Sequence, residues 1–168
     1  MAFYFDKRKT KKNKIDDENI GQKYFRMSYV FNKTKPEDFG LISTEQENIF
    51  IDLKDNSKWE KRNLIDLGWG LEVAFCKLPY LSFEELLKLS FYADPTQKTT
   101  DFLCAIGVLL NDYSYELLDF TEKLLADKKN SLQNRKEFYH LVRTQINYYD
   151  NILKRKWQDL FEQAEDII

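Results

Sequence analysis

His140 is the only histidine in the chain, and Arg135 precedes it by five positions in the run Arg-Lys-Glu-Phe-Tyr-His. A histidine is a common general acid or base and an arginine a fixed positive charge, so this spacing is the first place to look for chemistry. On a helix, however, five positions turn through about 500°, which leaves the two side chains roughly 140° apart. A solvated histidine is the competing reading. The carboxylate neighbours Asp16/Asp17, Glu84/Glu85 and Glu165/Asp166 likewise diverge by about 100° on a helix and form no convergent acid-base dyad. Glu84 and Glu85 have a simpler purpose, since Ser82-Phe-Glu-Glu85 is a capping box.

The Arg-x4-His spacing on a late helix resembles the motif of HEPN-type ribonucleases, all-helical proteins whose paired arginine and histidine act on RNA at a dimer interface. That resemblance rests on Arg135 and His140 alone and implies RNA cleavage or binding by a helical protein. Elsewhere the chain has no GxGxxG, P-loop, GxSxG or HExxH. Cys76 and Cys104 lie 28 positions apart in apolar runs, as buried free thiols of a reducing compartment do. A zinc site would need more ligands than one histidine and two separated cysteines supply. We therefore expect no catalytic residues, no metal and no cofactor.

Charge is distributed unevenly. Lys7–Lys14 carries six cations in eight positions, residues 1–14 sum to +5, and the remaining 154 residues carry −7. The arm, residues 1–20, is expected to be basic and flexible, either solubilising or able to neutralise phosphates. An acidic body repels nucleic acid and attracts a basic protein. No leader-like apolar segment and no 18-residue apolar window occur, so a cytoplasmic protein without a membrane partner is expected.

Five Gly and three Pro in 168 residues suit helices better than many short strands. Leu64, Leu67, Leu71, Ala74/Phe75 and Leu78 recur at helical steps and predict a helix over about 61–77 stopped by Pro79. Gly68 and Gly70 within it suggest close approach of another backbone. Further helices are expected over 83–92, over 95–110 behind Asp94-Pro95, and over 115–127 capped by Ser114. From Ser131 to Ile168 an apolar stripe through Phe138, Val142, Ile146, Tyr149, Leu153, Trp157 and Leu160 predicts one unbroken helix over about 132–167. Tyr24–Phe31 and Glu47–Leu53 can pair as a β-hairpin within 24–53. The expected fold is mainly α: a single domain over 21–168, an irregular bundle or short HEAT-like hairpin array closed by a long C-terminal helix.

From Leu64 to Ile168 the chain resembles small helical bacterial toxin-immunity proteins. The run Tyr92-Ala-Asp-Pro-Thr-Gln-Lys-Thr-Thr-Asp-Phe-Leu-Cys-Ala-Ile-Gly-Val-Leu-Leu, followed by Leu117-Leu118 and the Trp-containing final helix, carries the likeness. The resemblance implies a non-enzymatic protein whose acidic surface occludes a basic toxin. The acids Asp112, Glu116, Asp119 and Glu122 are the expected contacts, with Tyr113 and Tyr115 as aromatic anchors. Monomer and homodimer both remain open.

Overall fold

Residues 58–64 and 73–77 bury apolar side chains in two directions, and this decides the architecture. The computed structural model describes residues 22–28, 34–66, 71–93, 99–127, 135–146 and 151–165. It contains one antiparallel sheet of five strands: β1 (Phe25–Arg26), β2 (Leu41–Ser43), β3 (Ile49–Asp52), β4 (Lys58–Asp66) and β5 (Leu71–Lys77). In space they run β1-β5-β4-β3-β2. Strands β2 to β5 form a meander, and β1 returns to pair beside β5, Phe25 opposite Cys76 and Arg26 opposite Phe75.

The mainly α bundle expected from the sequence is thereby corrected to a mixed fold of sheet and helices. Leu64, Ala74 and Cys76 join the main core beneath the helices, whereas Trp59 and Phe75 belong to a second cluster with Leu41 and Phe50. A strand covered on both faces reads as a continuous apolar run, and such a run can imitate helical spacing by accident. The helix expected over 61–77 is therefore two strands, and Pro79 stands just past β5 rather than at a helix end. Gly68 and Gly70 lie outside the described residues. The expected hairpin within 24–53 is also corrected, because β5 and β4 lie between β1 and β3 in the sheet.

Short polar turns make the meander possible. Asn48 and Asn56 take left-handed backbone angles, φ +62° and +55°, which asparagine tolerates better than most residues. Asp52 accepts the Lys54 N–H at 2.8 Å and starts the β3–β4 turn. Within that turn Asp55 accepts from the Ser57 hydroxyl and N–H at 2.5 and 2.9 Å, and Lys77 reaches it at 3.3 Å. Those bonds, the Ser57 hydroxyl first, hold the Asp55 carboxyl down at about 2, against an ordinary 3.8. Because the folded value lies below the unfolded one, this contribution is complete above about pH 4 and is lost as pH falls through about 2. A carboxyl NMR titration should give Asp55 a midpoint near 2; a midpoint at the ordinary value would remove the turn bonds from the argument.

The helices are α1 (Phe83–Leu89), α2 (Thr100–Asp112), α3 (Ser114–Ala126), α4 (Lys136–Ile146) and α5 (Asn151–Glu165). The Ser82–Glu85 capping box is present as expected. Helix α2 starts behind Thr99, whose side chain accepts the Phe102 N–H, and not at Asp94-Pro95, which lies outside the described residues. Ser114 is the first helical residue rather than the cap of α3, and Tyr113 occupies the cap position without a side-chain bond. Thr100–Phe102 and Cys104–Leu110 are all buried. A helix apolar on every side belongs in the middle, and α2 packs on β4 below while touching α1, α3 and α4.

The single C-terminal helix is corrected as well. In one straight helix Tyr139 and Phe161 would stand about 33 Å apart. Their rings instead meet edge to face at 5.2 Å, and the Tyr139 hydroxyl donates to the Phe161 carbonyl at 3.3 Å. The stripe is thus folded into a helical hairpin, α4 against α5. Both halves bury it against the protein's own core, through Phe138, Tyr139 and Val142 on one and Trp157, Leu160, Phe161 and Ala164 on the other.

Candidate protein-binding surface

Of the six residues expected to bind a partner, Asp112 and Tyr113 are engaged with other elements of the fold. Arg62, reaching from β4, donates to Asp112 through both terminal guanidinium nitrogens, Nη1 and Nη2, at 2.8 and 2.7 Å. A forked, charge-assisted pair of this kind fixes direction as well as distance, so it ties the end of α2 to the sheet. The same guanidinium lies over the Tyr80 ring at 5.4 Å, and the Tyr80 hydroxyl donates to Glu60. Tyr113 is half-buried, its ring 5.8 Å from that of Phe83. Asp112 and Tyr113 therefore brace the α2–α3 corner, Asp112 at the surface and Tyr113 half-buried.

The other four share one face. Successive helical residues turn by 100°, so Tyr115, Asp119 and Glu122 fall within about 60° of one another, with Glu116 flanking them. All four are exposed, Tyr115 by 65%. Lys123 is the cation among them, and it pairs with Asp119 at 2.5 Å in the i,i+4 arrangement. Three carboxylates against one ammonium leave the face acidic. Beneath it Leu117, Leu118 and Thr121 are buried, and the Phe120 ring packs edge-on against Phe91 at 5.4 Å. The inner side thus holds the backbone of the outer side at a fixed orientation.

The residues with enzymatic potential are dispersed. Arg135 donates to the Ala93 carbonyl at 3.3 Å and lies 5.9 Å over the Phe91 ring. His140 is exposed, with its ring against Tyr139. Arg135 is therefore directed into the protein and His140 outward. Neither Cys76 nor Cys104 is in a disulfide and both are buried, as the sequence suggested. Burial pushes the Cys76 thiol up to about 12, the reverse of what a nucleophile needs. A cavity lined by Tyr24, Phe25, Arg62, Cys76, Tyr80 and Val108 measures about 10 Å³, room for one water and far below a ligand pocket. Among the described residues no cluster of three or more His, Cys, Asp or Glu could hold a metal ion, and no helix is long and apolar enough to cross a membrane. The basic arm lies outside the described residues.

Sequence reasoning missed the group formed by Tyr80, Glu60 and Arg62. Glu60 and Arg62 stand two positions apart, the period that puts side chains on one face of a strand, and that signal was hidden once 61–77 was read as a helix. Tyr80, 51% exposed, adds an aromatic ring beside the braced corner. No protein-family model matches the chain, and no curated protein or solved structure matches it significantly.

Proposed function

We propose that the chain is a non-enzymatic binding protein that captures a basic protein through the outer face of α3. Its most concrete form is an immunity protein that neutralises a basic bacterial toxin in the cytoplasm. The observation that carries this reading is the grouping of Tyr115, Asp119 and Glu122 on one exposed face of α3, backed by buried residues and flanked by the exposed Glu116. Opposite charge would steer the partner in, and the tyrosine would slow its release once desolvated.

The test begins with the partner recovered on immobilised chain from the native host, identified, purified and examined by surface plasmon resonance. Glu116→Lys with Asp119→Lys should slow association at low salt by about tenfold or more and flatten its salt dependence. Tyr115→Ala should chiefly speed dissociation, by about tenfold. Wild-type kinetics in both variants would defeat the proposal. Recovery of RNA in place of a protein would favour Arg135, His140 or the basic arm.

A further inference from the structure

Among the described residues, β2 has a neighbouring strand on one side only. Helix α2 packs at the other end of the sheet, on β1 and β4. In the β2–β3 pair the Thr44 N–H donates to the Ile49 carbonyl at 3.1 Å, and Ile42 stands opposite Ile51. Antiparallel pairs alternate, so Ile42 and Thr44 turn their backbone groups toward β3, while Leu41 and Ser43 turn theirs to the outer edge. The side chains beside this edge are incompletely covered. Ile42 is 45% exposed, Ile49 and Ile51 are half-buried, and Leu53 at the following turn is exposed. Charge guards such an edge, and here it has one sign. Residues 34–48 carry Glu37, Asp38, Glu45 and Glu47, all exposed, against the single cation Lys35.

Those acids select the occupant. A second copy paired antiparallel about Ile42 brings Glu37 of each toward Glu47 of the other, and like charges set opposite one another are destabilising. The complement is an apolar strand followed by cations, and the chain carries one outside the described residues, Ala2-Phe-Tyr-Phe-Asp-Lys-Arg-Lys9. With Tyr4 opposite Ile42, an antiparallel register sets Phe3 beside Ser43 and Phe5 beside Leu41, and carries Arg8 and Lys9 toward Asp38 and Glu37. The connection also fits. Each strand of the sheet is antiparallel to the next, so β1 and β2 point the same way. A strand antiparallel to β2 therefore finishes at the end of the sheet where β1 begins. Five strand spacings, about 24 Å, would separate the two, and the chain from Phe5 to Phe25 can span up to about 66 Å.

We propose that Phe3–Phe5 form a sixth strand on the outer edge of β2, fastened by Arg8 and Lys9 on Asp38 and Glu37. The basic arm then completes the chain's own sheet instead of neutralising phosphates. The site is separate from the outer face of α3, so either proposal can fail alone.

NMR on the full chain tests it. Nuclear Overhauser contacts should link the Tyr4 ring to the Ile42 methyl groups. The outward amides of Leu41 and Ser43 should exchange about tenfold or more slowly than in Phe5→Pro, which removes the N–H that faces Leu41. Arg8→Glu with Lys9→Glu should lose most of this protection, and adding Glu37→Lys with Asp38→Lys should restore it. Equal exchange in wild type and Phe5→Pro, with no contact between Tyr4 and Ile42, would overturn the sixth strand. Protection that rises with protein concentration would assign the edge to a second copy and overturn it too. Should the fourfold charge exchange not fold, the wild-type contacts and the Phe5→Pro comparison decide by themselves.

Discussion

Asp101→Ala lowers the stability of the chain by about 4 kcal/mol, seen as a shift of the urea midpoint with an unchanged slope. The substitution strands three backbone donors at once, those of Lys23, Tyr24 and Phe25. Only the Phe25 bond is wholly buried, so water rescues part of what the other two lose. Counting one full desolvation penalty and two partial ones gives the figure, within the range for breaking a buried charged interaction. Burial pushes the Asp101 carboxyl up, and the three N–H groups and Lys23 pull it back. Asp101→Asn keeps one carbonyl acceptor in place and should cost about half as much. A loss below about 1 kcal/mol for the alanine variant would show that the three bonds to Asp101 contribute no more than ordinary surface contacts.

Trp157→Ala should cost a comparable amount, about 3–5 kcal/mol, as large-to-small changes of a buried tryptophan do. Trp157 is fully buried, stacked on Phe161 with ring centroids 5.6 Å apart. It lies on α5, which touches both α3 and α4. Removing the indole leaves a cavity that three helices cannot all close. Among the described residues the indole N–H has no acceptor. Trp157→Phe therefore sheds a stranded donor together with some volume, and should cost only about 1 kcal/mol. Thermal or urea unfolding of the pair distinguishes the two effects; equal losses in both variants would mean that ring volume is not what Trp157 supplies.

Local signals were legible where one side chain bonds to its own neighbourhood. The Ser82–Glu85 box, the buried thiols and the presence of helices expected over 83–92, 95–110 and 115–127, found at Phe83–Leu89, Thr100–Asp112 and Ser114–Ala126, could all be read from residue types and short spacings. So could the outer face of α3, because a helix with Leu117, Leu118 and Thr121 inside must turn Tyr115, Asp119 and Glu122 outside. The sheet was not legible from Leu64 to Leu78, because burial on both faces erased the alternation that marks a strand. Nor was the return of β1 to β5, which joins residues some 50 positions apart.

The pattern of side chains along the chain determined which surfaces had to be hidden: the stripe from Phe138 to Ala164, the apolar run of α2 and the aromatic load of the strands. It could not determine what would hide them. A helical stripe is satisfied equally by another protein, a second copy or its own continuation, and periodicity is the same in each case. Tertiary structure chose the hairpin of α4 and α5, the two-sided sheet and the Arg62–Asp112 fork, pairings that bury these surfaces in the chain's own core while giving β4, β5 and the end of α2 their hydrogen-bond partners. Partner choice is a property of three-dimensional complementarity, and it left Tyr115, Glu116, Asp119 and Glu122 outside while tying the exposed Asp112 to Arg62 and half-burying Tyr113.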